Sequence, residues 1–291
     1  MHTRSAVSVA TTDARACILQ FLALFESRRL AAVAELAEDP SRMSWDHRQS
    51  AKEVVRHIGL KMGAGRLLSR RRRARGIVTA HLHPATPVDR FREAYRSRAW
   101  VSSKGQLSPS GLGSEVSTTR TIVEGLPVLL ADLGCKTLLD VGCGDWNWMR
   151  EVRLPCDYVG IDIVPEVIEA NRRNERVGVK FEVGDAIEGP LPGADVVLCR
   201  EVLFHLSFRD GMAALANIQA AGSWLLATSD TQIWFNSDIE TGDFRRINLE
   251  RAPYRLPRPR AVISDEGVCR GRVLGLWATA DLTTNRGGRS A

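Results

Sequence analysis

The chain has no uninterrupted apolar run near the roughly 18 residues that a membrane-spanning helix requires, and its first twenty residues lack an apolar segment followed by a small-residue cleavage site. Its six cysteines, at 17, 135, 143, 156, 199 and 269, form no CxxC pair, and the six histidines do not cluster. Neither a zinc knuckle nor a disulfide framework follows from such spacing, and no metal site is expected. These absences read as a cytoplasmic protein whose cysteines stay free thiols in a reducing compartment. A Gly-Lys-Ser/Thr phosphate loop is missing as well, which argues against a nucleoside triphosphate site. No internal repeat of fixed period is visible.

Charge is present but divided. Residues 1–99 hold 19 Lys+Arg against 9 Asp+Glu, a balance of +10, while residues 100–291 hold 21 against 25, a balance of −4. Apolar positions recur at helical spacing over 13–38 and more weakly over 50–62, and "LSRRRRARG" at 68–76 then reads as an exposed linker. No aromatic residue is interleaved with those arginines to stack on bases, so a solvated connector is favoured over a nucleic-acid contact. Residues 1–87 are expected to be a basic helical extension with a linker, 88–282 the main domain, and 283–291 a disordered tail.

From 88 onward, "VDRFREAYRSRAW" reads as a helix and "SSKGQLSPSGLGSE" as a loop. "TTRTIVEGLPVLLADLG" reads as one helix or two joined at Gly125-Leu126-Pro127, stopped by Gly134. Apolar runs then alternate with helical patterns. Strands are expected at 137–141, 157–161, 179–183, 195–199 and 223–228, with helices near 165–174 and 208–220. Strands that are apolar on both faces and separated by helices make a doubly wound, mostly parallel α/β sheet. "AVISDEG" and "RVLGLWATADL" leave no room for a crossover helix and predict an antiparallel hairpin at the sheet edge.

In such a sheet, ligands bind beyond the carboxyl ends of the strands. "LLDVGCGDWNWM", residues 138–149, places Gly142 and Gly144 directly after the first strand, where bare backbone lets a ligand approach. Position 147 is Asn, so a dinucleotide GxGxxG is broken. Asp140, two residues before the first glycine, would repel a pyrophosphate but suits a ligand that carries an ammonium and a sulfonium.

The stretch resembles the first motif of class I S-adenosylmethionine-dependent methyltransferases, an acid followed by GxGxG. That resemblance implies a Rossmann-like methyltransferase fold with a seven-stranded sheet and S-adenosylmethionine as cofactor. It implies that Asp140, Gly142, Cys143 and Gly144 hold the methionine end, that Asp162 with Ile163 holds the ribose, and that Asp185 with Ala186 holds the adenine. Trp146, standing where the third glycine is usual, would turn away from the cofactor or lie against its sulfonium. Arg200 is placed beside the cofactor as well. The chain is further similar to a bacterial subgroup with SGxGS, CGDxNWM, CRDxLxHL and NLxxxPFxLPxP segments. Here these read "SGLGS" (110–114), "CGDWNWM" (143–149), "CREVLFHL" (199–206) and "NLERAPYRLPRP" (248–259).

The implied activity is methyl transfer to a small-molecule or glycan acceptor, most simply at oxygen. Glu201 and His205 are spaced i, i+4 and would share a face if their segment were helical. His205 is then the candidate general base and Glu201 its orienting partner. Ser110, Ser114, Arg245 and Asn248 are candidates to hold the acceptor. No NPPY-like tetrad follows the fourth strand, which argues against base methylation, and Cys199 reads as a buried strand cysteine. The second reading is an RNA methyltransferase that uses the arginine-rich extension. The third is a catalytically silent binding module, kept open by Trp146. The oligomeric state does not follow from the sequence.

Overall fold

A computed structural model describes residues 79–101 and 107–282. The expected helices at 13–38 and 50–62, the arginine linker, the extension as a unit and the tail lie outside the described residues. Helix α1 spans Pro87–Arg96, started by Thr86, whose hydroxyl accepts from the Asp89 amide, with Pro87 in the first turn. Helix α2 spans Val116–Asp132 as a single helix that continues through Pro127. A proline removes one helical hydrogen bond, yet Ile122, Leu126 and Leu130, all fully buried, hold one face against the sheet and keep the axis continuous. Its end is where the sequence puts it, at Gly134 with φ +62°.

The five parallel-type strands follow: β1 (Thr137–Val141), β2 (Asp157–Asp162), β3 (Val179–Val183), β4 (Ala194–Cys199) and β5 (Gly222–Asp230). Helix α3 (Pro165–Asn171) lies between β2 and β3, and α4 (Phe208–Ala221) between β4 and β5. Strands β6 (Ala261–Ser264) and β7 (Arg272–Ala278) form the expected antiparallel hairpin. The seven strands are ordered β3-β2-β1-β4-β5-β7-β6. Strand β7 pairs antiparallel with β5, so the hairpin enters at one edge with β6 outermost.

Alternation along the strands divides the core in two. Leu138, Tyr158, Phe181, Val196 and Leu198 face α2 and α3, whereas Leu139, Ile161, Val197 and Leu225 face α4. Both faces are covered, which is why the strands read as continuous apolar runs. No described helix is long and apolar enough to cross a membrane.

The strand ends opposite the helix-capped turns carry charge. The β5–β7 register sets Asp230 against Arg272. Asp230, fully buried, accepts from Arg272 Nε at 3.0 Å and lies 3.3 Å from Arg246 Nε, while Arg272 Nη1 reaches Glu201 at 2.6 Å. Removing one member of such a network leaves buried charge uncompensated. Asp230→Ala is expected to destabilise the fold by about 3–5 kcal/mol, read as a lowered denaturant midpoint at unchanged slope; a change within about 0.5 kcal/mol, the usual size for a surface substitution, would contradict it.

Candidate active site

A pocket opens at the carboxyl ends of β1, β2 and β4. One side of it is the strand ends and the loops that follow them: Asp140 in β1 with Gly142, Cys143 and Gly144 after it, Asp162 ending β2 with Ile163 after it, and Asp185 and Ala186 after β3. The opposite side is Phe91 and Tyr95 of α1, Trp100, and the Glu201–Leu206 segment that follows β4. Ser110, Ser114, Trp148 and Arg200 complete it.

The loop after β1 is shaped by alternate left-handed residues. Gly142, Gly144 and Trp146 have φ of +71°, +58° and +56°. A Cβ at Gly142 would lie 2.4 Å from Val202 Cγ2, and one at Gly144 would lie 2.6 Å from Ser110 Oγ. These glycines are therefore required by close approach as well as by φ. Trp146 keeps the left-handed backbone of the glycine it replaces, an arrangement that costs on the order of 1–3 kcal/mol. Its burial against the core offsets that cost. The indole is 4% exposed, 5.2 Å from the Phe181 ring and 6.1 Å from Tyr158, and it does not line the pocket. The expectation that Trp146 contacts a ligand is corrected: the left-handed turn sends the side chain into the α2-facing core.

Asp140 lies on that same face of β1, backed by Tyr158, whose hydroxyl donates to Asp140 Oδ2 at 2.7 Å. Burial pushes its carboxyl up to about 7, against the opposing pull of Tyr158 and of Arg200. Asp162 is pushed up to about 6 by burial, although the Val164 and Gly144 amides donate to its two oxygens at 2.9 and 3.2 Å. Asp185 accepts from the Ile187 amide at 2.7 Å. Three carboxylates thus converge on this side of the pocket, and the one cation among its described lining residues is already paired. That donor set suits a ligand with positive charge and hydroxyl donors. No group of three or more His, Cys, Asp and Glu placed to hold a metal exists among the described residues.

The motif segments fasten to one another. Ser110 Oγ accepts from the Asp145 amide at 3.0 Å, Ser108 donates to Asp145 at 2.8 Å, and Asn147 Nδ2 donates to the Ser114 carbonyl at 2.8 Å. Arg200 Nη1 donates to the Gly113 carbonyl at 2.7 Å. A Cβ at Gly113 would meet Glu201 Oε2, so this glycine is dictated by the carboxylate beneath it.

Three expectations are corrected here, those for the Glu201–His205 pair, Arg245 and Asn248. Glu201 has φ +60° and the segment after it is only a 3-10 turn, Leu203–His205, so Glu201 and His205 share no helical face. The Glu201 carboxylate bonds Arg272 rather than His205. Arg200 lines the pocket, but its guanidinium pairs with Asp265 at 2.8 Å and lies 5.1 Å over Trp148, so it is neutralised within the fold. Arg245 is buried away from the pocket, donating to the Leu206 carbonyl at 2.5 Å and to Tyr254 Oη at 3.0 Å. Asn248 is likewise buried, donating to the Ile233 carbonyl at 2.9 Å and bonded by its amide to Asn236. The "NLERAPYRLPRP" segment is thereby structural: Tyr254 meets Arg245, and the Pro257 carbonyl accepts from Trp277 Nε1 at 2.7 Å.

His205 is oriented differently from the sequence expectation. Its Nδ1 is 2.8 Å from the Asp243 carbonyl. A carbonyl only accepts, so Nδ1 carries the proton and Nε2 keeps its lone pair. Burial lowers the imidazole to about 4, so it is neutral near pH 7. Phe91, Tyr95, Trp100 and Trp148 line the pocket without having been named as site residues; the i, i+4 pair Phe91 and Tyr95 on the otherwise polar α1 was the available signal. Helix α1 is pinned by Arg90 Nη1 to the Thr241 carbonyl at 2.9 Å and by Arg92 to Glu166 at 2.8 Å.

Truncating Trp146 deletes core contacts while leaving the pocket lining intact. Trp146→Ala is expected to lower stability by about 3–5 kcal/mol and to leave ligand affinity in the pocket within about threefold, as measured by calorimetry; a larger affinity loss in the folded variant would contradict the assignment to the core.

Comparison with known proteins agrees with this architecture. Residues 139–223, from β1 to the start of β5, match a family model described as a methyltransferase domain. No curated protein matches the chain. Among solved structures, the N-methyltransferase NodS from Bradyrhizobium japonicum WM9 with S-adenosyl-L-homocysteine aligns at 19% identity and TM-score 0.35, over 39% of this chain and 62% of that one. Magnesium protoporphyrin IX methyltransferase from Synechocystis PCC 6803 aligns at 17% identity and TM-score 0.36, over 48% and 66%. Human N-acetylserotonin methyltransferase aligns at 15% identity and TM-score 0.43, over 55% and 51%. The chain spans between half and two thirds of the length of these three, and likenesses so distant carry no acceptor to it. The matched segment, from β1 to the start of β5, is a methyltransferase-domain match carried on a Rossmann-like sheet with an antiparallel edge hairpin.

Proposed function

We propose that the strand-end pocket is the S-adenosylmethionine site and that the enzyme methylates a hydroxyl of a small molecule. The observation that carries the reading is the division of one pocket into a side of three carboxylates and a side that presents a neutral His205. On the first side, Asp140 would stand beside the cationic methionine end, the backbone at Gly142 and Gly144 would lie against it, and Asp162 would accept from the ribose hydroxyls. Asp185 and Ala186 would border the adenine, with Cys143 and Ile163 completing the lining. When bound, the cofactor supplies a methyl group on an electron-poor sulfur.

On the second side, the residues of this chain place the acceptor and manage its proton. Proximity and orientation account for much of the acceleration in such a displacement. His205 takes the hydroxyl proton on Nε2, with Nδ1–H held by the Asp243 carbonyl. Asp243 and the surrounding rings orient the imidazole, and Glu201 acts at one remove, by fixing Arg272 and the Gly113 loop. The hydroxyls of Ser110 and Ser114 border the same space. The small-molecule acceptor is favoured over RNA because, among the described residues, the one arginine lining the pocket is paired with Asp265, which leaves no described lining cation for a phosphate. The turn of Trp146 into the core removes the feature that favoured a silent module.

Formation of S-adenosylhomocysteine with a hydroxylated acceptor tests the reading. His205→Ala is expected to lower kcat by about 10²–10⁴-fold at unchanged affinity for S-adenosylmethionine, and the wild type is expected to show no loss of kcat between pH 8 and pH 5, since the imidazole protonates near 4. Full turnover by His205→Ala would remove His205 from the chemistry.

A further inference from the structure

The acceptor side of the pocket has an unusual composition. Trp100 lies with its ring centre 5.0 Å from Tyr95, 5.1 Å from His205 and 6.2 Å from Phe91, and Phe91 is 6.5 Å from His205. These spacings are those of rings in direct contact. They make one continuous wall, with no gap between rings for a ligand to enter.

The polar groups beside that wall are almost all committed. Arg200 is held by Asp265 and Gly113, Glu201 by Arg272, and Ser110 by the Asp145 amide. Among the described residues, a carboxylate or phosphate acceptor would find no lining cation without a partner. A sugar would bury several hydroxyls for which few partners remain, and each unmet one is costly. What remains is small in number. His205 Nε2 is one acceptor, Ser114 offers one hydroxyl, and Trp100 Nε1 is an enclosed donor with no hydrogen-bond partner.

We infer that the acceptor is a neutral aromatic hydroxyl compound, a phenol or a hydroxylated heteroaromatic, whose ring lies on the Phe91–Trp100–His205 wall. The inference rests on the reading of the pocket as a methyltransferase site and adds the acceptor class to it. One ring face meets the wall, and the hydroxyl hydrogen meets His205 Nε2. Methyl transfer then forms one O–CH3 bond and breaks one S–CH3 bond. The phenolic proton passes to His205, and S-adenosylhomocysteine leaves uncharged at sulfur. A phenol also suits a weakly basic imidazole better than an aliphatic alcohol does, because its proton is far more acidic.

The test uses the full chain saturated with S-adenosylhomocysteine and three probes: 2-naphthol, 2-naphthoate and methyl β-D-glucopyranoside. Binding is followed by ligand-observed NMR. The expected result is that 2-naphthol binds at least tenfold more tightly than either other probe, and that Trp100→Leu weakens it at least tenfold while the affinity for S-adenosylhomocysteine is unchanged. Phe91→Leu provides a second variant should Trp100→Leu not fold. Equal or tighter binding of 2-naphthoate or the glucoside overturns the inference, as does 2-naphthol binding that is indifferent to both substitutions in folded protein. A folded wild type that does not bind S-adenosylhomocysteine overturns the cofactor reading first, and the acceptor class falls with it.

Discussion

The site depends on a carboxylate placed where water cannot stabilise its charge. Asp140 is next to the last residue of a strand covered on both faces, is 4% exposed, and among the described residues has the Tyr158 hydroxyl as its direct partner. In that position ionisation is held back to near neutrality. A fold does not benefit from such a group by itself. In the proposed reading, a cationic ligand in the pocket relieves that tension. Trp146 and Tyr158 close the back, the glycines at 142 and 144 open the front, and Asp162 waits at the end of the neighbouring strand.

The second half of the pocket is built on a different constraint. Three arginines, 200, 246 and 272, are balanced by Asp230, Asp265 and Glu201 within the fold. This network consumes the charge that the sequence appeared to offer to an acceptor. It also explains the motif segments that surround it: Gly113 is small because the Glu201 carboxylate lies against it, and Arg200 is present to hold the Gly113 carbonyl and Asp265. The pocket side proposed for the acceptor is left aromatic apart from the Arg272-paired Glu201, facing the three carboxylates of the side proposed for the cofactor.

Much of this was legible in the sequence because it follows from periodicity. Apolar runs at 137–141, 179–183 and 195–199 gave strands with bounds that differ by at most one residue from those observed, and the short polar connection after 264 required a hairpin. The acids at 140, 162 and 185 were legible because each sits at a strand end. The acceptor side was not. Glu201 and His205 have helical spacing, but a left-handed Glu201 breaks the helix, and no pattern announces a left-handed glutamate. Arg245 and Asn248 read as acceptor-holding groups because the residues that bury them, Tyr254 and Asn236, are distributed over separate loop segments. The aromatic wall joins α1 to a turn more than a hundred residues later, a long-range pairing that local spacing does not reveal.

The most direct test is calorimetric titration with S-adenosylmethionine at pH 6 in two buffers of different ionisation enthalpy. Asp140, about 7 in the free protein, is largely protonated at that pH and must ionise to face a cation, with Asp162, about 6, contributing in the same direction. The groups bearing on Asp140 are Tyr158, Arg200 and Asp162. The account predicts binding that releases roughly one to one and a half protons at pH 6 and less at pH 8, with affinity rising as pH increases to about 7 and then levelling. Tight binding with no proton release, or with uptake, would contradict the claim that the buried carboxylates hold the cofactor.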